Sequence, residues 1–148
     1  MKYITLDQFK EAGEDVARKI MKWWVPSKGD LATSIDDIGI RCVGYTDSKK
    51  IYFIASPGVT TWEWNTKVAP LLTEGQLIEF IEHCTGWPVT ISNFSGDYIV
   101  NPMPEEEAEF YSKEEHNADA PKWWLEEKCF WEYELIDALW KCAKEVSK

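Results

Sequence analysis

Glu79, Glu82 and His83 stand at spacings that bring three side chains to one face of a helix, and Glu-x-x-Glu-His is an inverted zinc-protease pattern lacking its first histidine. Catalytic zinc takes three protein ligands, and the other histidine, His116, lies in an acidic stretch with no spacing that completes the set. A solvated helix face accounts for these residues, so no metal is expected there. Asp36 and Asp37 form a second pair: adjacent carboxylates ahead of a strand can hold magnesium for hydrolysis, and turn or capping chemistry explains them equally well. No Glu-x-Lys follows on a neighbouring strand, and the sequence has no Gly-rich phosphate loop and no Ser, His and Asp grouping legible from spacing. No catalytic residue and no cofactor is therefore assigned. A metal-dependent hydrolase built on Asp36, Asp37 or the Glu79 to His83 face is the most distant of three functional readings.

Binding is better furnished. Glu105, Glu106, Glu107, Glu109, Glu114, Glu115 and Asp119 form an acidic segment broken by Phe110, Tyr111 and Lys113. Such runs are commonly solvated faces; the sharper reading is that spaced carboxylates imitate nucleic-acid phosphates and occupy a basic groove on another protein. Nine tryptophans are present, and neither doublet, Trp23-Trp24 nor Trp123-Trp124, can point both rings into one helix face. Some indoles should therefore be partly exposed, and Trp123 and Trp124 join the carboxylates as the expected partner-binding set. Trp62 and Trp64 share one side of a strand and form, with Tyr52, either a core wall or an aromatic surface able to stack a nucleotide-like ligand. The lack of a basic cluster argues against a phosphate-rich ligand.

Composition narrows the classes further. A chain of 148 residues with 45% hydrophobic and 28% charged residues is expected to form one domain, 1–148, with its own core. No apolar run approaches the roughly 20 residues that cross a bilayer, and the N-terminus turns polar too early for a signal peptide, so a cytoplasmic location without membrane contact is expected. Cys42, Cys84, Cys129 and Cys142 are widely spaced, which suits reduced thiols. A net charge of −10 disfavours direct nucleic-acid binding and favours a basic protein partner.

The elements that must carry these residues are legible from capping and periodicity. Thr5 and Gln8 have capping-box spacing with Ile4 and Phe9 as a staple, and Leu6, Phe9, Val16, Ile20 and Trp23 recur at helical spacing, which predicts a helix from Leu6 to Trp24. Ile38 to Ala55 reads as a hairpin turning at Thr46-Asp47-Ser48-Lys49, and Val59 to Trp64 as a third strand. A second capping box, Thr73 and Gln76, opens a middle helix with Leu77, Phe80, Ile81 and Cys84 inward. Trp87 to Phe94 and Tyr98 to Asn101 flank the turn Ser95-Gly96-Asp97. Pro104 begins a short acidic helix, and Pro121 opens a long C-terminal helix whose apolar face, from Trp124 to Val146, is wide enough to imply deep burial or a partner, including a second copy of the chain. The expected fold class is α+β, an antiparallel sheet of about five strands packed by an N-terminal helix, a middle helix and a long C-terminal helix.

The segment Pro70-Leu71-Leu72-Thr73-Glu74-Gly75-Gln76-Leu77-Ile78-Glu79-Phe80-Ile81-Glu82 resembles one found in small proteins of phages and prophages of Gram-positive bacteria. Trp24-Val25-Pro26-Ser27-Lys28-Gly29-Asp30-Leu31 and Ala138-Leu139-Trp140-Lys141-Cys142-Ala143 are similar to an early loop and a terminal helix of the same family. The resemblance implies a phage origin and carries over no functional residue. With it, the first reading is a phage accessory protein, not an enzyme, that binds a host protein and inhibits a defence or nucleic-acid enzyme in the manner of an anti-CRISPR or anti-restriction protein. The second is a small-molecule binder that sequesters a nucleotide signal.

Overall fold

Two capping boxes of the same design open the first and third helices. Thr5 accepts a hydrogen bond from the Gln8 amide while the Gln8 side chain accepts from the Thr5 amide, and Thr73 and Gln76 repeat the exchange. Ile4, Phe9, Leu72 and Leu77, at the positions of the two expected staples, are all buried. The computed structural model describes residues 1–34, 39–47, 50–55, 58–63 and 68–148, with residues 54, 55 and 58–63 described by backbone alone. The chain divides into two compact units, Tyr3–Leu72 with Met1 and Thr73–Lys148 with Lys2. The fold is α+β.

In the first unit, helices α1 (Leu6–Glu11) and α2 (Glu14–Trp23) accompany five strands, β1 (Leu31–Ser34), β2 (Arg41–Thr46), β3 (Lys50–Ala55), β4 (Gly58–Glu63) and β5 (Val68–Pro70). The single helix expected from Leu6 to Trp24 is broken at Gly13, whose φ of 91° lies where side-chain-bearing residues are strained. The strands form an antiparallel sheet in the order β4-β3-β2-β1-β5. The expected meander is its β2-β3-β4 portion. Strands β1 and β5 escape the sequence reading because each is four residues or fewer, too short to display an alternation. Pro70 sits in edge strand β5, where a missing amide costs no ladder bond. Ile4, Ile20, Trp24, Val43, Ile51 and Phe53 make the core.

The second unit holds α3 (Glu74–Thr85), β6 (Thr90–Phe94), β7 (Asp97–Asn101), α4 (Glu105–Ser112), α5 (Glu114–Asn117), α6 (Lys122–Glu126), β8 (Phe130–Glu132) and α7 (Leu135–Val146). The hairpin read at Ser95-Gly96 is present, but it joins β8 in a separate antiparallel sheet, β6-β7-β8, instead of extending the first. The long C-terminal helix is likewise corrected to α6, β8 and α7. Phe130 is buried and Trp131 exposed, a period of two that suits pairing with β7 and that a helical stripe disguises. Helix α7 packs on α3 and on β7 and β8, burying Ile136, Leu139, Trp140, Cys142 and Ala143, so its wide apolar face is consumed inside the unit.

Candidate interaction surface

Helix α4 begins with three glutamates, which complement the positive end of its dipole, and none of its eight residues is buried. Glu105, Glu106 and Glu109 are exposed and Glu107 is half-buried, and among the described residues none of these four carboxylates has a hydrogen-bond or ion-pair partner. Glu114, Glu115 and Asp119 continue the exposed acidic surface across α5 and beyond it. At its centre the Phe110 ring, 44% exposed, stacks on His116 at 3.9 Å between centroids with 11° between planes. Tyr111 meets Phe110 edge-on at 5.2 Å and lies 6.2 Å from Trp124, so an aromatic series runs from solvent to the core.

Trp124 is that core end. At 2% exposure it cannot be presented to a partner, and its inclusion in the binding set is corrected to an anchoring role, with Lys128 Nζ 4.5 Å from its ring. Trp123 is half-buried and lines a cleft of 410 Å³ with Lys122, Glu126, Glu145 and Lys148. The Trp23-Trp24 doublet divides the same way, with Trp24 buried and Trp23 half-buried. Phe110 was not among the expected binding residues; the sequence signal for it is its position inside a carboxylate run.

A second exposed aromatic group was not foreseen. Phe94 at 64% exposure meets Trp131 at 44% edge-on, 6.3 Å apart, on the outer face of the β6-β7-β8 sheet, with the half-buried Ile99 beside Trp131 in register. The Trp131 indole donates to Cys129 Sγ at 3.0 Å. Reading Trp131 as part of a helical stripe hid this surface.

The pocket expected from Tyr52, Trp62 and Trp64 falls only in part within the described residues. Across the sheet the backbone of Tyr52 pairs with that of Thr61, and Trp62 with Ile51. The Trp62 side chain and the whole of Trp64 lie outside the described residues. Tyr52 itself is engaged locally: its ring stacks on Tyr45 at 4.2 Å, and its hydroxyl donates to Asp47 Oδ2 at 2.9 Å, which braces the β2-β3 turn and raises the phenol's pKa.

The remaining candidates are structural or outside view. Asp36 and Asp37 lie outside the described residues. Glu79 and His83 are exposed, and Glu82 accepts from the Val89 amide at 3.0 Å, tying the end of α3 to the approach of β6. No group of three or more His, Cys, Asp or Glu placed to hold a metal occurs among the described residues. Two of the segments resembling phage proteins are folding devices here: Asp30 accepts from the Trp24 indole at 3.0 Å and from the Ser27 amide at 2.9 Å, closing the α2-β1 loop, and Pro70 to Glu82 contains the second capping box. No helix among the described residues is long and apolar enough to cross a membrane. No family model, curated protein or solved structure matches the chain.

Charge is divided unequally. Residues 73–148 hold seventeen carboxylates against six lysines, a net of −11, whereas residues 1–72 hold nine against ten basic residues, a net of +1. The acidic character of the chain therefore belongs to its second unit.

Proposed function

We propose that this chain is a binding protein, not an enzyme, whose second unit engages a basic protein through the carboxylates of α4 and α5 set around Phe110. One observation carries this reading: no residue of α4 is fully buried and its four carboxylates have no ion-pair partners among the described residues, so beyond the helix dipole that charge makes no contact for the fold. Carboxylates held a helical turn apart around an exposed aromatic ring supply attraction over distance and an apolar anchor on contact. A nucleic-acid-binding groove is the basic surface they fit. The resemblance to phage proteins supports a host defence or nucleic-acid enzyme as its owner, in a bacterial cytoplasm.

The test is affinity capture from host lysate at low and high salt, followed by competition with duplex DNA. The wild type should retain a stoichiometric basic protein that DNA displaces. The variant Glu105→Gln, Glu106→Gln, Glu109→Gln should lose it at least tenfold. A partner held equally by that variant, or no partner at all, overturns the reading.

A second reading, binding of a small nucleotide-like signal, is supported by the cleft that Trp123 lines with Lys122, Glu126 and the Glu145–Lys148 ion pair. Quenching of tryptophan fluorescence by nucleotides, lost in Trp123→Ala, is its signature.

A further inference from the structure

We infer that two copies of this chain pair through β6, antiparallel and edge to edge about Ser92. All five residues of β6 are exposed, and the strand stands at the edge of its sheet. Exposed edges invite strand addition, and proteins ordinarily guard them with charge, proline, bulges or shortness. The opposite edge, β8, is guarded: it has three residues and carries Glu132. Strand β6 has none of these devices. Its register with β7 runs unbroken from Thr90 to Phe94, and Thr90-Ile91-Ser92-Asn93-Phe94 contains neither proline nor charge.

Charge selects the occupant. Within residues 73–148, of net −11, Cys84 to Gly96 is a run of thirteen residues without a charged side chain. A basic partner would find nothing on this strip to attract it, whereas an equally acidic second copy can approach here without meeting like charge.

The hydrogen-bond pattern also permits self-pairing. Ser95 and Gly96, at φ 53° and 95°, form a two-residue turn closed by Phe94 and Asp97, so that pair exchanges both ladder bonds. Alternation then leaves the amides and carbonyls of Ile91 and Asn93 pointing away from β7. In an antiparallel pair centred on Ser92, each Ile91 faces the Asn93 of the second copy, and the outward groups of both satisfy one another in four bonds. The three-stranded sheets become one of six strands. Phe94 then lies opposite Thr90 of the second copy, on the face that carries Trp131.

Sedimentation equilibrium of the full chain at about 1–200 µM tests this, because a dimer's population follows concentration. The expected result is reversible association to twice the 17.2 kDa chain mass. Asn93→Pro removes one outward amide without touching the β6-β7 ladder, and Ile91→Lys places charge on the strip; each should weaken association at least tenfold with unchanged circular dichroism. Ser92→Cys should crosslink under mild oxidation faster than the wild type, since facing residues at the axis are close enough for a disulfide. If Asn93→Pro fails to fold, the other two variants decide. A chain monomeric at every concentration, or a dimer indifferent to these variants, overturns the proposal. Because β6 is separate from α4, a chain that dimerises yet captures no basic partner would leave this inference standing and remove the other.

Discussion

Asp30 shows how one side chain can hold a loop that carries no regular structure. Its carboxylate accepts from the Trp24 indole, which is buried, and from the Ser27 amide, while the Asp30 amide donates to the Ser27 carbonyl and the Gly29 amide to the Val43 carbonyl. Asp30→Ala strands the indole donor inside the core, and a lost hydrogen bond to a charged group costs about 1.5–3 kcal/mol. Urea unfolding should show a lower midpoint with an unchanged slope. Cys142 offers a residue-level prediction in pH. Burial pushes its thiol far above the ordinary value of 9.0, so the native chain keeps a proton that the unfolded chain releases. The folded-state pKa is the raised one, so this contribution is intact below pH 9 and is lost as pH rises beyond it. Between pH 8 and about 10.5 the wild type should therefore lose more stability than Cys142→Ala, measured as the difference between their unfolding free energies.

Helix α4 separates what folding needs from what it leaves spare. Glu109 lies in the second half of the helix, against the negative end of the dipole and four residues from Glu105, so both effects oppose it. Glu109→Lys replaces a repulsive pair by an attractive one in the favourable order, and the thermal midpoint should rise by the equivalent of about 0.5–1 kcal/mol. Partner capture should fall in the same variant. A drop in stability would mean that Glu109 serves the fold. The same local forces explain what could be read in advance. Capping boxes act within four residues, so both helix starts were legible at Thr5 and Thr73, and the hairpin turn at Ser95-Gly96 was legible from its glycine. What escaped depends on distant partners. Strand β8 exists because β7 lies beside it, and the Phe94 and Trp131 rings meet only through that pairing. Among the candidate side chains, Glu105, Glu106 and Glu109 of α4 were found at the surface, whereas Trp124 lies against Tyr111, thirteen residues away, which no helical spacing announces.

At the scale of the molecule, the partition of charge gives salt two opposite effects. A net of −11 over residues 73–148 repels itself, and α4 offers no counter-charge among the described residues, so the unit carries an electrostatic cost that screening relieves. Raising salt from about 20 mM to 0.5 M shortens the Debye length from roughly 20 Å to about 4 Å, below the spacing of most of these carboxylates. The thermal midpoint of the free chain should climb by about 3–6 °C, the equivalent of roughly 1–2 kcal/mol. Over the same range, association with a basic partner should slow at least tenfold while dissociation changes little, because steering acts on encounter and not on the formed contact. Glu105→Gln, Glu106→Gln, Glu109→Gln should flatten both responses together. A midpoint that falls with salt would mean that the carboxylates are paired within the chain, and it would take away the charge on which the proposed partner recognition depends.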